Sequence, residues 1–520
     1  MDVRITAALF IGAVLLVGAI VLISGTSTVS NVVQEPPILP AKYDLRNVDG
    51  KCYITPVKTQ AGTLPDGQAD ISNTVGTCWA FAACAAFESN LLLQEIVSDP
   101  ASPAANLSVW HMGNWNGYNH PVYVYNSDPM PNSTLSIGYT ETKPVIRGWG
   151  GDHRYATDYL ISGKGPVLDQ YAPFPLDDMQ GKKNLTKPPE HLPVSYMLRE
   201  TIVLHRPDYS TDEEFRTAVK YALIKYGALV SFQYAHPSTY PGTEETTIFN
   251  RTSNNYYFDG TGDELCPASL NHAVTIAGWD DTRRIQGAPE PGAWLIKNSM
   301  GTEFGDNGYF WISYADTVFL KDNDFAVAFV ADSGEGYDTT RRYETSAGAL
   351  SNTSTEPYEI SWDYLSDGFA TAGDESWACA RFIAEENADL RAVGFITLNR
   401  NETVTVAIYG RWDEIGTRPD PARLLLSERI SVPEQGYHLI DLKQQIQLNR
   451  GEEFVIALGF AARNNETDII DPLVYVAANA PQPNKTFRSP SDPGGGQGVW
   501  EDYSNLHNGT IFYVQGFTAA

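Results

Sequence analysis

The pattern of hydrophobic and polar positions divides the chain into three parts. Residues 7–23 form an uncharged apolar run, which a short proline-containing linker follows. Residues 41–340 mix helix-like and strand-like runs, which is typical of an α+β domain. Over residues 345–520, short strand-like runs alternate with turn-forming loops, which predicts an all-β antiparallel sandwich. The predicted domains are therefore 1–40, 41–340 and 345–520.

Individual elements of the α+β part are predicted from local signals. The stretch STDEEFRTAVKYALIKYG is predicted to be helical, because Thr211 and Glu214 form a capping-box pair and Gly227 is a stop signal at its end. The stretch CWAFAACAAFESNLLLQE is rich in Ala, Leu and Glu and predicts a second helix, with Cys78 in its first turn. The stretches HAVTIAGWDD, GAWLIKN and GYFWISY are predicted to be strands separated by Gly and Asp turns.

The apolar run at residues 7–23 is near the lower length limit for crossing a bilayer and long for the core of a signal peptide. Its flanking basic residue, Arg4, lies on the N-terminal side, and the positive-inside rule then keeps that end in the cytoplasm. We therefore expect one N-terminal transmembrane helix that anchors the protein with its bulk outside the cell. The alternative is a cleaved signal segment and a secreted protein.

Charge, sequons and cysteines extend this interpretation. The chain has 63 acidic and 36 basic residues, so its formal net charge is −27, it repels phosphate backbones, and no nucleic-acid partner is expected. Nine Asn-x-Ser/Thr sequons are typical of an exported glycoprotein. The cysteines are odd in number, which leaves at least one free thiol in an oxidising compartment: they are Cys52, Cys78, Cys84, Cys266 and Cys379.

One of these cysteines carries candidate chemistry. Cys78 lies at a predicted helix start, where the partial positive charge of the helix end stabilises a thiolate. His272 opens an apolar strand and Asn298 ends another, so they are a candidate base and a candidate orienting amide. Gln60 has a side-chain N–H suited to an oxyanion. Plainer interpretations are a buried apolar role for Cys78 and a core role for His272.

Four motifs in the order Gln, Cys, His, Asn resemble those of the papain-like cysteine protease family. They are TPVKTQ, GTCWAF, NHAV and IKNSMGTEFGDNGYFWI, and the preceding YDLR is similar to the start of the family's mature domain. The resemblance spans about residues 41–335 and implies peptide-bond hydrolysis. In it, Cys78 is the nucleophile, His272 is the base and then the acid, and Asn298 orients His272.

The resemblance also assigns groups that contact the substrate. Gln60 and the Cys78 backbone N–H form the implied oxyanion hole. The stretch WGGDHRYATDYLISGKGPV is similar to the family segment that binds the substrate backbone, which maps onto Gly151 with its neighbour Gly150. Peptides or proteins are the expected substrates. No metal or organic cofactor is expected, because no His/Cys cluster has ligand spacing.

Three departures from the family pattern lie near the site. Val75 stands where the family has a disulfide cysteine, so that disulfide is absent. The stretch AGTLPDGQADISN lengthens the loop between Gln60 and Cys78. Met300 stands where the family has a tryptophan that shields the hydrogen bond between histidine and asparagine.

Residues 345–520 resemble the lectin-like domain that follows such proteases in some microbial exported proteins. The stretch DGFATAGDESWACARFIAEENADLRAVGFITLNRNETVTVAIYG carries the resemblance, which implies a carbohydrate ligand for this domain. Trp377, Trp412 and Trp500 are candidates for stacking on sugar rings. For each of them, a role as a core or edge residue of the sandwich is at least as good an interpretation.

Together these features predict a cysteine-type endopeptidase at the cell surface, anchored by its N-terminal helix. The alternative is a catalytically weak or inactive protease-like adhesin whose β-sandwich binds carbohydrate or a surface polymer. The intact set of Cys78, His272 and Asn298 favours the peptidase.

Overall fold

The computed structural model describes most of the chain after the linker. The described residues are 39–63, 69–74, 76–116, 135–140, 143–148, 151–176, 187–236, 248–260, 270–321, 324–344, 360–361, 375–461, 475–477, 486–489, 500–502 and 510–519. The predicted membrane segment at residues 7–23, Gly150 and Cys266 lie outside them. Within the described ranges, no helix is both long and apolar enough to span a membrane.

The helices that follow lie in the first part of the chain. They are α1 (Cys78–Leu93), α2 (Val109–Trp115), α3 (His153–Ile161) and α4 (Asp212–Tyr226). Helix α4 is confirmed with its predicted cap, since Thr211 Oγ1 accepts from the Glu214 N–H at 3.1 Å and Gly227 follows with φ of +87°. Helix α1 is confirmed as well. It is mostly apolar and is buried from Cys78 to Leu92, so it is a central helix.

In the first part of the chain the strands alternate with these helices. In the second part, strand follows strand with no α-helix between them among the described residues. The first part contains β1 (Lys42–Asp44), β2 (Ala61–Thr63), β3 (Ala69–Thr74), β4 (Leu135–Thr140), β5 (Lys143–Gly148), β6 (Met197–His205), β7 (Leu229–Gln233), β8 (Phe249–Asn250), β9 (Asn255–Tyr256), β10 (His272–Asp280), β11 (Ala293–Lys297), β12 (Tyr309–Ser313) and β13 (Phe325–Asp332). The second contains β14 (Tyr337–Glu344), β15 (Ile360–Ser361), β16 (Glu375–Ile383), β17 (Ala388–Thr397), β18 (Glu402–Tyr409), β19 (Trp412–Asp413), β20 (Arg418–Pro419), β21 (Leu424–Val432), β22 (Gly436–Leu448), β23 (Glu453–Ala461), β24 (Tyr475–Ala477), β25 (Thr486–Ser489), β26 (Glu501–Asp502), β27 (Thr510–Phe512) and β28 (Gln515–Ala519). The predicted α+β part followed by an all-β part is confirmed.

One long sheet runs through both parts. Its order is β14-β28-β17-β22-β6-β13-β7-β10-β11-β12-β9-β8, with β1 also paired to β10. The two parts meet where β22 pairs with β6, at His438 opposite Glu200. The isolated bridge between Val203 and Gln435 extends this junction. Residues far apart in sequence therefore share one backbone hydrogen-bond network.

A second sheet completes the β-rich part. Its order is β21-β18-β23-β16-β25-β26, and all its pairings are antiparallel. Its apolar side chains form one core with those of β17 and β22, including the buried Phe395, Val406, Leu442 and Ile456. Two antiparallel sheets with a shared apolar core form a sandwich.

The three tryptophans considered for sugar stacking are core residues. Trp377, Trp412 and Trp500 are 3%, 5% and 4% exposed. Trp412 stacks on Phe487 with ring centroids 4.1 Å apart and meets the edge of Trp500 at 6.4 Å. Because their faces are covered by protein, the expectation that they bind sugar rings is wrong, and the core interpretation holds.

Candidate active site

Cys78 is the first residue of α1. The preceding Thr77 caps the helix through its carbonyl oxygen, which accepts from the Ala80 N–H at 2.9 Å. The cysteine is buried, and the Ala273 N–H of β10 points to its Sγ at 3.5 Å. The thiol therefore lies at the positive end of a helix dipole with a backbone donor beside it.

The strand order brings His272 and Asn298 together. His272 begins β10 and Asn298 follows β11, and these strands pair with Thr275 opposite Lys297. The His272 Nε2 lies 2.8 Å from Asn298 Oδ1, which also accepts from the Ser299 N–H. An oxygen that accepts two hydrogen bonds fixes the amide orientation, so Nε2 carries the proton and Nδ1 is left for Cys78.

Cys78 and His272 shift each other's pKa values. Burial by itself raises the pKa of the Cys78 thiol, but the hydrogen bond and charge of His272, with the backbone N–H groups of Ala273 and Trp79, lower that pKa overall. Burial likewise opposes the charged form of His272, yet Cys78 and Asn298 raise its pKa. Opposite shifts of this kind favour a thiolate–imidazolium pair over two neutral groups.

Gln60 reaches the site despite the lengthened loop. The extra residues include a hairpin formed by β2 and β3. The segment that ends at Gln60, just before this hairpin, contacts the residues that follow Asn298. Thr59 pairs with Met300 in a β-bridge, and the Gln60 N–H donates to Ser299 O at 2.8 Å. The Ser299 hydroxyl donates to Gln60 Oε1 at 2.8 Å. The amide is therefore oriented by the residue that follows Asn298.

Gly151 lies against the residue after Cys78. A Cβ placed on Gly151 would be 2.7 Å from the indole Nε1 of Trp79 and 2.6 Å from the ring of Tyr155. Only a glycine lets the backbone approach the indole this closely. The structure thus brings Gly151 to the neighbourhood of Cys78, and Gly150 lies outside the described residues.

Motif comparison alone missed a buried cluster of charges beneath the site. The Glu88 carboxylate accepts from Lys58 Nζ at 2.6 Å and from the Leu107 N–H at 2.8 Å. Lys297, which precedes Asn298, donates from Nζ to Thr55 O at 2.8 Å. The available signal was a charged residue inside an otherwise apolar run, as in AAFESN and WLIKN.

Burial sets the charge states in this cluster. It lowers the pKa of Lys297 to about 8, and the nearby Lys58 also lowers it, while Glu88 opposes the shift. The pKa of Lys58 is raised, because its contact with Glu88 outweighs its burial. Burial raises the pKa of the Cys84 thiol in the same helix, so this second cysteine stays protonated.

Disulfides are absent among the cysteines that the structure describes. Cys52, Cys78, Cys84 and Cys379 are free thiols. The described residues also contain no group of three or more His, Cys, Asp or Glu side chains arranged to hold a metal ion.

Comparison with known families matches both parts of the chain. Residues 239–327 match the family described as papain family cysteine protease, and residues 361–480 match the family described as lectin like domain. Cathepsin S of Bos taurus is 23% identical over 241 residues, which are 45% of this chain and 52% of that protein. The chain thus spans about half the length of this curated relative. The two resemblances predicted from the sequence are confirmed.

Solved structures share the fold across both parts. The cysteine protease and lectin-like domains of Cwp84, a surface layer associated protein of Clostridium difficile, superpose with a TM-score of 0.61 at 20% identity. That match covers 92% of this chain and 89% of the other. Cwp84 after propeptide cleavage gives a TM-score of 0.59 at 21% identity, over 90% of this chain and 97% of the other. At this identity the likeness concerns the fold.

Proposed function

We propose that the protein is a cysteine-type endopeptidase that acts through Cys78, His272 and Asn298. The observation that carries this proposal is the arrangement around His272, which contacts Asn298 through Nε2 while the N–H of the next residue, Ala273, points to Cys78 Sγ. A charged pair at a helix start, with a fixed imidazole, is suited to nucleophilic attack on a carbonyl.

In the acylation step, the Cys78 thiolate adds to the carbonyl carbon of the scissile bond. The carbonyl oxygen becomes an oxyanion, to which the Gln60 side-chain N–H and the Cys78 backbone N–H donate. These donors are worth about 3 kcal/mol each in related acyl-transfer chemistry. The His272 imidazolium then protonates the leaving nitrogen, the C–N bond breaks, and an acyl-enzyme with neutral His272 remains.

In the deacylation step, neutral His272 takes a proton from a water molecule as the water oxygen attacks the acyl carbon. The Sγ–C bond breaks, the carboxylic acid product leaves, and the thiolate–imidazolium pair is restored. Asn298 keeps the imidazole in one orientation during both steps, since it accepts from Nε2 throughout. Gly151, beside Trp79, offers its backbone to an extended peptide.

We also propose that the protein acts at the cell surface. The apolar run at residues 7–23 supports an exported and anchored chain, and Cwp84, which has this fold, is a surface layer associated protein. The match to a lectin like domain supports a carbohydrate ligand for the sandwich. That ligand would contact residues other than Trp377, Trp412 and Trp500, which are buried.

Thiol alkylation tests the catalytic proposal. We expect iodoacetamide near neutral pH to modify Cys78 and abolish peptide hydrolysis, and His272→Ala to slow the modification by orders of magnitude. Cys84→Ala is the matched control, because Cys84 lies in the same helix with a raised thiol pKa. Peptidase activity in Cys78→Ala within tenfold of the wild type would refute the assignment. An inert Cys78 would favour the adhesin alternative.

A further inference from the structure

Gln515 lies where the sandwich meets helix α3. It is the first residue of β28 and is fully buried. Its Nε2 donates to the carbonyl oxygen of Ile161 at 2.8 Å and to Glu344 Oε2 at 3.1 Å. Its Oε1 accepts from the Tyr437 hydroxyl at 2.9 Å. The side-chain amide of Gln515 therefore has partners at both ends, and one of them is the last residue of α3.

Helix α3 connects Gln515 with the candidate active site. Its nine residues span about 13 Å from Ile161, which Gln515 contacts, to His153. The cap residue Asp152 accepts from the Arg154 N–H at 2.8 Å, and Gly151 before it lies against Trp79. A helix of this length is stiff, so we expect a shift at Ile161 to displace its N-terminal end next to Gly151.

The sandwich side of this contact is buried and joined to the first part of the chain. Tyr437 belongs to β22, which pairs with β6 of the first part. Ile161, Tyr437 and Phe517 are buried in the same apolar cluster, which also contains Cys78 and Trp79. All of these residues lie within the compact unit Pro40–Ala520. The two parts therefore share a core, and Gln515 is a polar contact inside it.

We propose that Gln515 is a positioning residue through which the sandwich holds α3, so that the backbone at Gly151 stays in place for an extended substrate. The inference rests on the proposed peptidase function. It adds that the β-sandwich is a structural part of the substrate groove, whatever ligand its own surface binds.

The chemistry of the contact explains why an amide is required. Ile161 ends α3, and its carbonyl oxygen is one of those that a helix leaves without an intrahelical partner. An apolar side chain at position 515 would leave that oxygen and the Tyr437 hydroxyl without their buried partner, which is costly. Relief of this cost requires the end of α3 to move toward water.

The test compares Gln515→Leu with Val406→Ala in the full chain. Val406 is buried in the sandwich core on β18, in a different apolar cluster from Ile161, so its variant controls for a general loss of stability. For Gln515→Leu we expect KM for a peptide to rise about tenfold, because small displacements far from the chemistry cost this much or more. The kcat and the iodoacetamide rate at Cys78 should stay within about twofold, since the helix start of α1 is unchanged.

A second measurement does not depend on activity. Amide hydrogen exchange over residues 151–161 should accelerate in Gln515→Leu and remain at the wild-type rate in Val406→Ala. If Gln515→Leu fails to fold, Tyr437→Phe removes the donor that orients Gln515 and is judged by the same two readouts. Equal KM and equal exchange in both variants would overturn the inference. A wild type without hydrolysis would refute the proposed function, while the exchange data would still decide whether Gln515 holds α3.

Discussion

Ser299 and Gln60 are joined twice. The Gln60 N–H donates to Ser299 O at 2.8 Å, and the Ser299 hydroxyl donates to Gln60 Oε1 at 2.8 Å. Ser299 directly follows Asn298, so one short segment contacts both the proposed imidazole partner and the proposed oxyanion donor. This link explains how the lengthened loop after Gln60 leaves the site assembled.

We expect Gln60→Ala to lower kcat by about 10²–10³, the usual cost of losing one oxyanion donor. Ser299→Ala should lower kcat by less, about three- to tenfold, because the backbone bond to Ser299 O still holds Gln60 in place. Steady-state kinetics on one peptide measure both values. A loss under threefold in Gln60→Ala would show that its N–H does not reach the oxyanion.

Asn298→Ala should narrow the pH range of activity. Asn298 contributes to the raised pKa of His272, so its removal lowers that pKa, and the imidazolium is lost at lower pH. The alkaline limb of the kcat/KM profile should therefore move to lower pH. With thermal unfolding as the control for folding, an alkaline limb at the wild-type position would contradict a role for this hydrogen bond.

Met300→Trp is expected to widen the same profile. Met300 is buried beside the site, where it pairs with Thr59. A broader and more rigid indole would exclude more water from the His272–Asn298 hydrogen bond, and the attraction in the ion pair grows as the effective dielectric falls. The acidic limb should move to lower pH and the alkaline limb to higher pH. An unchanged unfolding temperature is the control for correct packing of the larger ring. Limbs that coincide or move inward would show that Met300 is not a weakened shield.

Lys297 should make stability depend on alkaline pH. Its folded pKa of about 8 lies below the 10.5 of an unfolded lysine, so the unfolded chain binds more protons between these values. The contribution of Lys297 to the free energy of unfolding therefore rises with pH across this window, by about 3 kcal/mol at most. Denaturant unfolding at pH 8 and pH 10 measures this. The free energy of unfolding of the wild type should rise between these values relative to that of Lys297→Met.

Removing the carboxylate of the same cluster should have a larger effect. Glu88→Gln leaves the buried Lys297 and the partly buried Lys58 without the carboxylate of Glu88, which typically costs about 3–5 kcal/mol. Because Lys297 directly precedes Asn298, the variant should also lose activity. A matched control is Glu95→Gln, which removes the exposed ion pair with Lys51 and should leave the free energy of unfolding nearly unchanged. Equal stability of the two variants would argue against a buried charge cluster.

The two parts of the chain should unfold together. The shared apolar cluster and the β6–β22 pairing join them. We expect one calorimetric transition in the full chain, and loss of soluble protein when the chain is cut before β14. Two separated transitions, or a stable and active fragment lacking the sandwich, would contradict this.

Local signals in the sequence determined much of the fold and of the site. The cap and stop of α4, the Ala- and Leu-rich α1 and the strand runs around His272 and Asn298 depend on neighbours within a few residues. The ordered motifs named Cys78, His272, Asn298 and Gln60, and the structure brings these residues together.

Contacts between residues distant in sequence were decided only by the tertiary structure. The sequence left two interpretations for Trp377, Trp412 and Trp500, and burial in the sandwich selected the core. The Ser299–Gln60 bond spans 239 positions and the Gln515–Ile161 bond spans 354. Neither bond can be predicted from a local sequence pattern. In the sequence, a polar side chain that becomes buried cannot be distinguished from an exposed one, because its burial depends on distant residues that exclude water from it. The sequence alone therefore indicated the candidate catalytic residues, and packing determined which other side chains orient them.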